Sequence, residues 1–572
     1  MNEEPKSFWR RSWTGWRGLI LWFVLVAVAT FILVFTFGLL SHNGLDSDAV
    51  PIALLCAAVA VMVMLTFKLI RWLCCWRNAR RFFFGAACFF TLIVLAYAVE
   101  NFRGKRAWEK HKQELEAKGE KFSIPACAPP PVPDEKNFAL TPLLRPALEF
   151  TRGPEGIIRR DTNGYARLEN LRPDVQMPDS TNSLALGSFD KGTLADLEAC
   201  RIFYRGNTNY PQPTKAGTAA EDILVALSRF DPEMKELREA VATRPYSRFP
   251  IEYDYEPSIA ILLPHLVHIK SLCRLVHVRA IAELELGRPA DALADLQVAF
   301  RISDSINAEP ILIDHLVRIA TIPFNLQTVR EGLVRHAWSD AQLAELEKYL
   351  ASLNVLAEYK VAMRGERAFG TSCLDYMRRH PSSMESFGGL DESEASVMPG
   401  GGMMPGGWFY QNMVTISQMH QNFTLPAVNE QTHRIFPEEA TKLEKAISDS
   451  RVGPYNIFMK LLMPALSKAM LKSARAQFYV DAARVACALE RHRLATGKLA
   501  DSLDELSPKF LEKIPDDVAN GKPLQYQKNS DGSYVIYSVG WNLKDDGGET
   551  GLGKRLNVDA ALGDWVWKMP AK

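Results

Sequence analysis

Three long apolar runs crowd the first hundred residues: Leu19–Leu40, Val50–Ile70 and Phe82–Val99. As a helix rising about 1.5 Å per residue, each crosses or nearly crosses a hydrocarbon layer roughly 30 Å thick. The reading is a cytoplasmic N-terminus, 1–18, followed by an anchor of three transmembrane helices over 19–99. Run one carries no charge, is too long for the apolar region of a signal peptide, and is followed by no A-x-A cleavage site.

Charge sets the expected orientation. Lys6, Arg10, Arg11 and Arg17 precede run one, and Lys68, Arg71, Arg77, Arg80 and Arg81 fall at the end of run two and beyond it. The intervening loop Ser41–Ala49 holds Asp46 and Asp48 and no lysine or arginine. Because basic flanks stay in the cytoplasm, run three exports the chain. Residues 100–572 are then expected on the extracytoplasmic side of the membrane. Trp9, Trp13, Trp16, Trp22, Trp72 and Trp76 cluster near the expected cytoplasmic surface, as an aromatic belt does.

The remainder has an ordinary globular composition, 47% hydrophobic and 23% charged over the whole chain. A net charge of +1 gives no field for nucleic acid, so none is expected as a partner. Nine cysteines without any CxxC spacing argue against a disulfide framework or a zinc site. No cofactor is expected.

In chain order, 100–122 reads as a charged helical stalk with Lys110 and Glu114 at i,i+4. Proline density makes 123–146 a semi-rigid linker. Residues 147–379 read as a mostly helical extracytoplasmic domain. In it Ala280, Gly287, Ala292, Leu296 and Ala299 have the spacing of one tetratricopeptide hairpin, with no second copy at a fixed period. Ser339 has the character of an N-cap. Residues 380–408 are a Gly/Met/Pro-rich flexible loop, 409–467 a helical segment, and 468–572 a small α+β tail.

In the tail a helix ends at Gly497. The runs Leu524–Lys528 and Tyr534–Gly540 then flank Asn529-Ser530-Asp531-Gly532, a hairpin loop with glycine supplying positive φ. The text ALERHRLATGKLADSLDEL followed by GKPLQYQKNSDGSYVIYSVGWNLKDDGG resembles the globular domain of type II secretion pseudopilins over Ala474–Gly548. Leu499-Ala500 stands where that family has Tyr-Pro. The resemblance implies a helix packed on a small antiparallel sheet. It also makes Asp545 and Asp546 candidate calcium ligands, although calcium takes six to eight oxygens and two adjacent aspartates supply too few alone. More broadly, ENFRGKRAWEKHK, PPPVPDEKNFALTPLL, MRGERAF and the closing GDWVW resemble a class of uncharacterised bacterial envelope proteins. That resemblance implies a bacterial inner membrane, with residues 100–572 periplasmic or otherwise extracytoplasmic, and no activity.

No catalytic motif stands out. HExxH and GxSxG are absent, and Gly370-Thr371-Ser372-Cys373-Leu374 lacks the second glycine. His265, His268 and His277 share one expected helix, where core or surface roles outweigh metal ligation. Glu366 and Arg367 suggest an ion pair within a helix. The fold class expected is mainly α: three transmembrane helices, a helical soluble domain and a small pseudopilin-like α+β domain. The expected function is a non-catalytic scaffold or protein-binding role in the envelope, with the lipid bilayer and other envelope proteins as partners. The alternatives are a component of a type II secretion or pilus-like apparatus, and a membrane-bound hydrolase whose site is assembled from distant residues.

Overall fold

Helix α1, Ala49–Leu73, and the start of helix α2, Trp76–Glu116, carry apolar N-terminal sequence. The computed structural model describes residues 20, 23–32, 49–74, 76–153, 156–172, 186–189, 191–215, 217–381, 404–553 and 557–570. It divides into two units, Met1–Val99 and Glu100–Lys572.

The first unit corrects the expectation of three transmembrane helices. Among the described residues one helix, α2, is long and apolar enough to cross a membrane. The other apolar helical stretches, Phe23–Ile32 and Val61–Ile70, are shorter. The multi-pass reading falls with this. The basic N-terminus, the loop 41–48 and much of run one lie outside the described residues, as does most of the Gly/Met/Pro-rich segment 380–408.

The second unit is mainly helical with small β elements. Its first part holds two hairpins, β1 Phe150–Gly153 with β2 Gly156–Arg159 and β3 Leu186–Ser188 with β4 Thr193–Ala195. Helices α3 Leu197–Gly206, α4 Ala219–Leu227 and α5 Asp231–Thr243 follow. The long helices are α6 His265–Glu285, α7 Pro289–Asp304, α8 Leu312–Val334, α9 Asp340–Ser352 and α10 Val355–Arg379. After them come α11 Gly406–Met419, strands β5 Val428–Asn429 and β6 Arg434–Ile435, α12 Pro437–Asp449, α13 Ile457–Leu462 and α14 Pro464–Thr496.

Local chemistry explains the helix ends. Gly287 takes φ 68° between α6 and α7, and Ala280, Ala292 and Ala299 are buried where the two helices meet. Ser339 caps α9: Gln342 N donates to its hydroxyl, and Ser339 N donates back to Gln342 Oε1 at 3.0 Å. Gly497 ends α14 in the left-handed region, φ 79°.

Helix α14 is the centre of the body. It packs on α8, α9, α10 and α12, and on strands of the tail. From Ala476 to Leu489 all but Arg484 are buried, so no face is left for solvent. The sequence Ala482, Ala483, Ala486 and Ala488 permits this, because short side chains let neighbouring helices approach from several sides. The tail sheet is antiparallel in the order β9 Trp565–Met569, β8 Tyr534–Ser538, β7 Gln525–Lys528. Tyr534 pairs with Lys528 and Met569, and Gly532 in the turn has φ 86°. This tail is stitched to the rest. Phe189 stacks on Trp567 with ring centroids 5.4 Å apart, and Arg330 Nε donates to the Lys568 carbonyl at 2.9 Å.

The segments read as stalk and linker both enter the core. Ile124, Phe138, Ala139, Leu143 and Leu144 are at most 3% exposed. Asn137 fastens them, its Nδ2 donating to the Arg248 carbonyl at 2.8 Å. The part of α2 after Glu100 packs on α11 at two glycines. A Cβ built on Gly104 would lie 2.6 Å from Gly407 Cα. Gly407 N donates to Asn101 Oδ1 at 2.8 Å, and His111 Nε2 meets Ser417 Oγ at 2.9 Å. Trp108 and Leu115 are buried one and three turns further on. These contacts leave α2 one buried edge and one charged outer edge, where Lys110 and Glu114 stand 3.8 Å apart.

Candidate functional site

A cleft of about 610 Å³ lies where the β5–β6 hairpin, α14 and the loop before β7 converge. Its position follows from three local structures. In the hairpin turn Asn429 Oδ1 accepts from Gln431 N at 3.0 Å and Thr432 N at 3.1 Å, and His433 is turned to φ 51°. A left-handed histidine is uncommon and marks a turn whose geometry the surroundings dictate. In α14, Asp481 sits one turn beyond Gln477, whose Nε2 donates to it at 3.2 Å. In the loop, buried Asp517 accepts from Ala519 N, Ser538 Oγ and Val539 N at 2.9, 2.7 and 3.1 Å. Burial raises its carboxyl pKa above the ordinary value, and these donors oppose the rise.

The wall of the cleft is built around the Asp481 carboxylate, whose side chain is 3% exposed. Arg484 Nη1 is 3.5 Å away and His433 Nε2 3.6 Å away, and Arg484 also contacts Glu347 at 3.2 Å. Arg434 crosses the cleft beside Gly521, and its Nη2 donates to the Ala519 carbonyl at 3.3 Å. Lys513 and Asp516, 2.7 Å apart, form the opposite rim with Glu512. Arginines and a lysine beside carboxylates can receive both an acidic and a basic group of one ligand.

Two smaller clefts flank the body. One, about 350 Å³, is lined by His336, Glu490, Arg493, Lys498, Lys528 and Tyr534. There Glu490 holds both His336 Nδ1 and Arg493 Nη2 at 2.7 Å. The other, about 340 Å³, lies between Trp108, Phe122, Glu256, Arg379, Tyr410 and Met413.

The residues singled out in the sequence go elsewhere. His265 Nε2 faces Asp314 at 3.1 Å, His268 lies 3.5 Å from Glu169, and His277 bonds Thr328 Oγ1 at 2.7 Å. All three are buried, and burial lowers His268 and His277 to about 4. Arg367 does not pair with Glu366; it reaches Glu120 at 2.6 Å and stands over the Phe122 ring. Burial raises Glu366 to about 7. In the acidic turn, Asp545 Oδ1 accepts from Gly547 N and Asp546 Oδ2 from Asn542 Nδ2, each at 3.0 Å. Asp564 holds the turn from below, accepting from Asp546 N and Gly548 N. Among the described residues no group of three His, Cys, Asp or Glu is placed to hold a metal ion.

Sequence reasoning passed over His433, Asp481 and Arg484. One signal was available: Asp481 is the lone acidic residue in the alanine-rich stretch Ala476–Leu489. A carboxylate there must meet donors supplied by the fold. No family model, curated protein or solved structure matches the chain.

Proposed function

We propose that this is a membrane-anchored binding protein of the bacterial envelope. It is held by α2, carries Glu100–Lys572 outside the cytoplasm, and receives a segment of a protein partner in the cleft at Asp481. The anchoring rests on the apolar helix, and its direction on Arg77, Arg80 and Arg81 at the start of that helix. The binding role rests on one observation. The largest of the three clefts sets a buried carboxylate, Asp481, among Gln477, Arg484 and His433, with further charges of both signs on its rim. Such a site matches a polar peptide segment through paired charges, and specificity follows from their spacing.

The test is a photo-crosslinking residue at Thr432 in the intact membrane protein, with Ile202 on α3 as an exposed control position. The expected result is a discrete protein adduct from Thr432 alone, lost on Arg484→Glu. Identical adducts from both positions, or adducts unaffected by that substitution, refute the cleft as the binding site. A second reading, a membrane-bound hydrolase, draws on the His433–Asp481 pair, since a carboxylate beside an imidazole orients it to take a proton. Under that reading His433→Gln abolishes turnover of a hydrolysable substrate and leaves partner capture intact.

A further inference from the structure

Tyr455 donates its hydroxyl to Glu100 Oε2 at 2.9 Å. Glu100 directly follows Val99, the last residue of the apolar stretch of α2. Consecutive Cα atoms are about 3.8 Å apart. The loop carrying Tyr455 therefore lies beside the point where that stretch ends. We propose that the edge Arg451–Leu462 is a membrane contact, seated in the phospholipid headgroup layer next to the span. The proposal rests on reading α2 as a membrane helix and adds a second surface of the protein to that reading.

The edge is built as an interfacial element. Helix α13 turns Phe458 and Met459 into the core, 6% and 1% exposed, and leaves Leu461 69% and Leu462 41% exposed. Val452, just before it, is 71% exposed. Asn412 holds the segment in place: its Nδ2 donates to the Pro454 carbonyl at 2.8 Å, and its Oδ1 accepts from Phe458 N at 3.2 Å. The apolar side chains are thus presented by fixed backbone. They have cations beside them, Arg451 and Lys460 in the segment and, on α2, Arg103, which pairs with the same Glu100 that Tyr455 bonds. The Arg103 side chain is 57% exposed. Leucines and a tyrosine bordered by arginine and lysine match the headgroup region, where apolar stems meet acyl chains and cations meet phosphate. Distance fits as well. Six helical residues span about 9 Å, and each headgroup layer is roughly 5–8 Å deep.

The experiment places single nitroxide labels on the full chain in nanodiscs of phosphatidylcholine and phosphatidylglycerol. Cys56, Cys74, Cys75, Cys88 and Cys127 are first changed to Ser; Cys200, Cys273, Cys373 and Cys487 are buried. Labels go on Leu461→Cys and Val452→Cys, with Leu92→Cys reporting the span and Ile202→Cys the water-exposed body. The readout is the ratio of collision rates with oxygen, which partitions into lipid, and with a polar nickel chelate. The proposal expects ratios at 461 and 452 several-fold above that at 202 and below that at 92. A lipid-like 92 with 461 and 452 equal to 202 overturns the edge and leaves the span standing. A 461 label shielded from both reagents means a protein occupant and also overturns it. A water-like 92 removes the span and the proposal together.

Discussion

The two glycines joining α2 to α11 give a sharp test of how this packing works. Gly104→Ala places a methyl 2.6 Å from Gly407 Cα and 2.8 Å from its carbonyl carbon. Carbon atoms pack at about 3.5–4.0 Å, so the helices must separate by about 1 Å. Both contacts are backbone, and no rotamer change relieves them. The Asn101–Gly407 hydrogen bond, 2.8 Å long, would stretch beyond bonding range. Its loss costs about 1 kcal/mol, and overpacking adds about 1–3 kcal/mol. Against this, alanine gains up to about 1 kcal/mol over glycine in a helix interior. The net is destabilisation of about 1–3 kcal/mol, so packing outweighs propensity. Gly407→Ala meets the Glu100 carbonyl and lies 2.9 Å from Asn101 N, and should cost a similar amount. The double variant should lose less than the sum, because one separation accommodates both methyls. Gly206→Ala, with nothing within 4 Å, is the control and should shift stability by under about 0.5 kcal/mol. The assay is thermal unfolding of the full chain in detergent, with hydrogen exchange at the Gly407 amide. A Gly104→Ala protein melting at or above wild type, with that amide still protected, would refute the reasoning.

Three further outcomes are expected. Val480→Asp puts an unpaired carboxylate at a position that is 0% exposed on α14 and should cost about 4 kcal/mol or more, read by the same melt. Burial raises Glu309 to about 7, so the folded protein keeps this proton between about 4.5 and 7 while the unfolded chain has released it. Its contribution to stability is present below that window and is lost as pH rises through it; melting curves from pH 5 to 8 should therefore shift progressively in favour of Glu309→Gln, and parallel curves would count against a buried neutral acid. Reporter fusions should be active in the cytoplasm after Trp76 and outside it after Gly119; a cytoplasmic signal at Gly119 would overturn the topology.

Features set by local chemistry were legible in the sequence. Gly287 and Gly497 stop helices because positive φ is easiest for glycine, and Ser339 caps because its hydroxyl replaces a missing acceptor. The hairpin turning at Gly532 was legible for the same reason. What escaped depends on partners far along the chain. The spacing of Val480, Ala483, Cys487 and Leu494 suggests one buried face on α14, yet Leu494 is 44% exposed, and around the other three the opposite face is covered too, by helices from more than a hundred residues earlier. Proline density argued for an extended spacer at 123–146, but Phe138 and Leu143 find a core that no local pattern announces. Hydropathy alone suggested three spans, and only one is present as a sufficiently long apolar helix among the described residues. The cleft was invisible for a related reason. His433 and Asp481 come from separate elements, and a 3.6 Å approach between them has no sequence signature.

The placement of α14 has a consequence for how this protein is made. The helices that enclose it, α8, α9 and α10, are complete by Arg379, but the helix they enclose begins at Pro464. At about 5–20 residues per second, synthesis runs for roughly 4–17 s between these points. Throughout that interval the inner faces of the earlier helices have nothing to close on. The nascent chain would thus hold an open, sticky intermediate until its last fifth emerges, and would hold it beside the membrane where α2 anchors it as proposed. Chaperone dependence should be greatest in that window, and ribosomes paused just before α14 should yield the chains most readily captured by holdases.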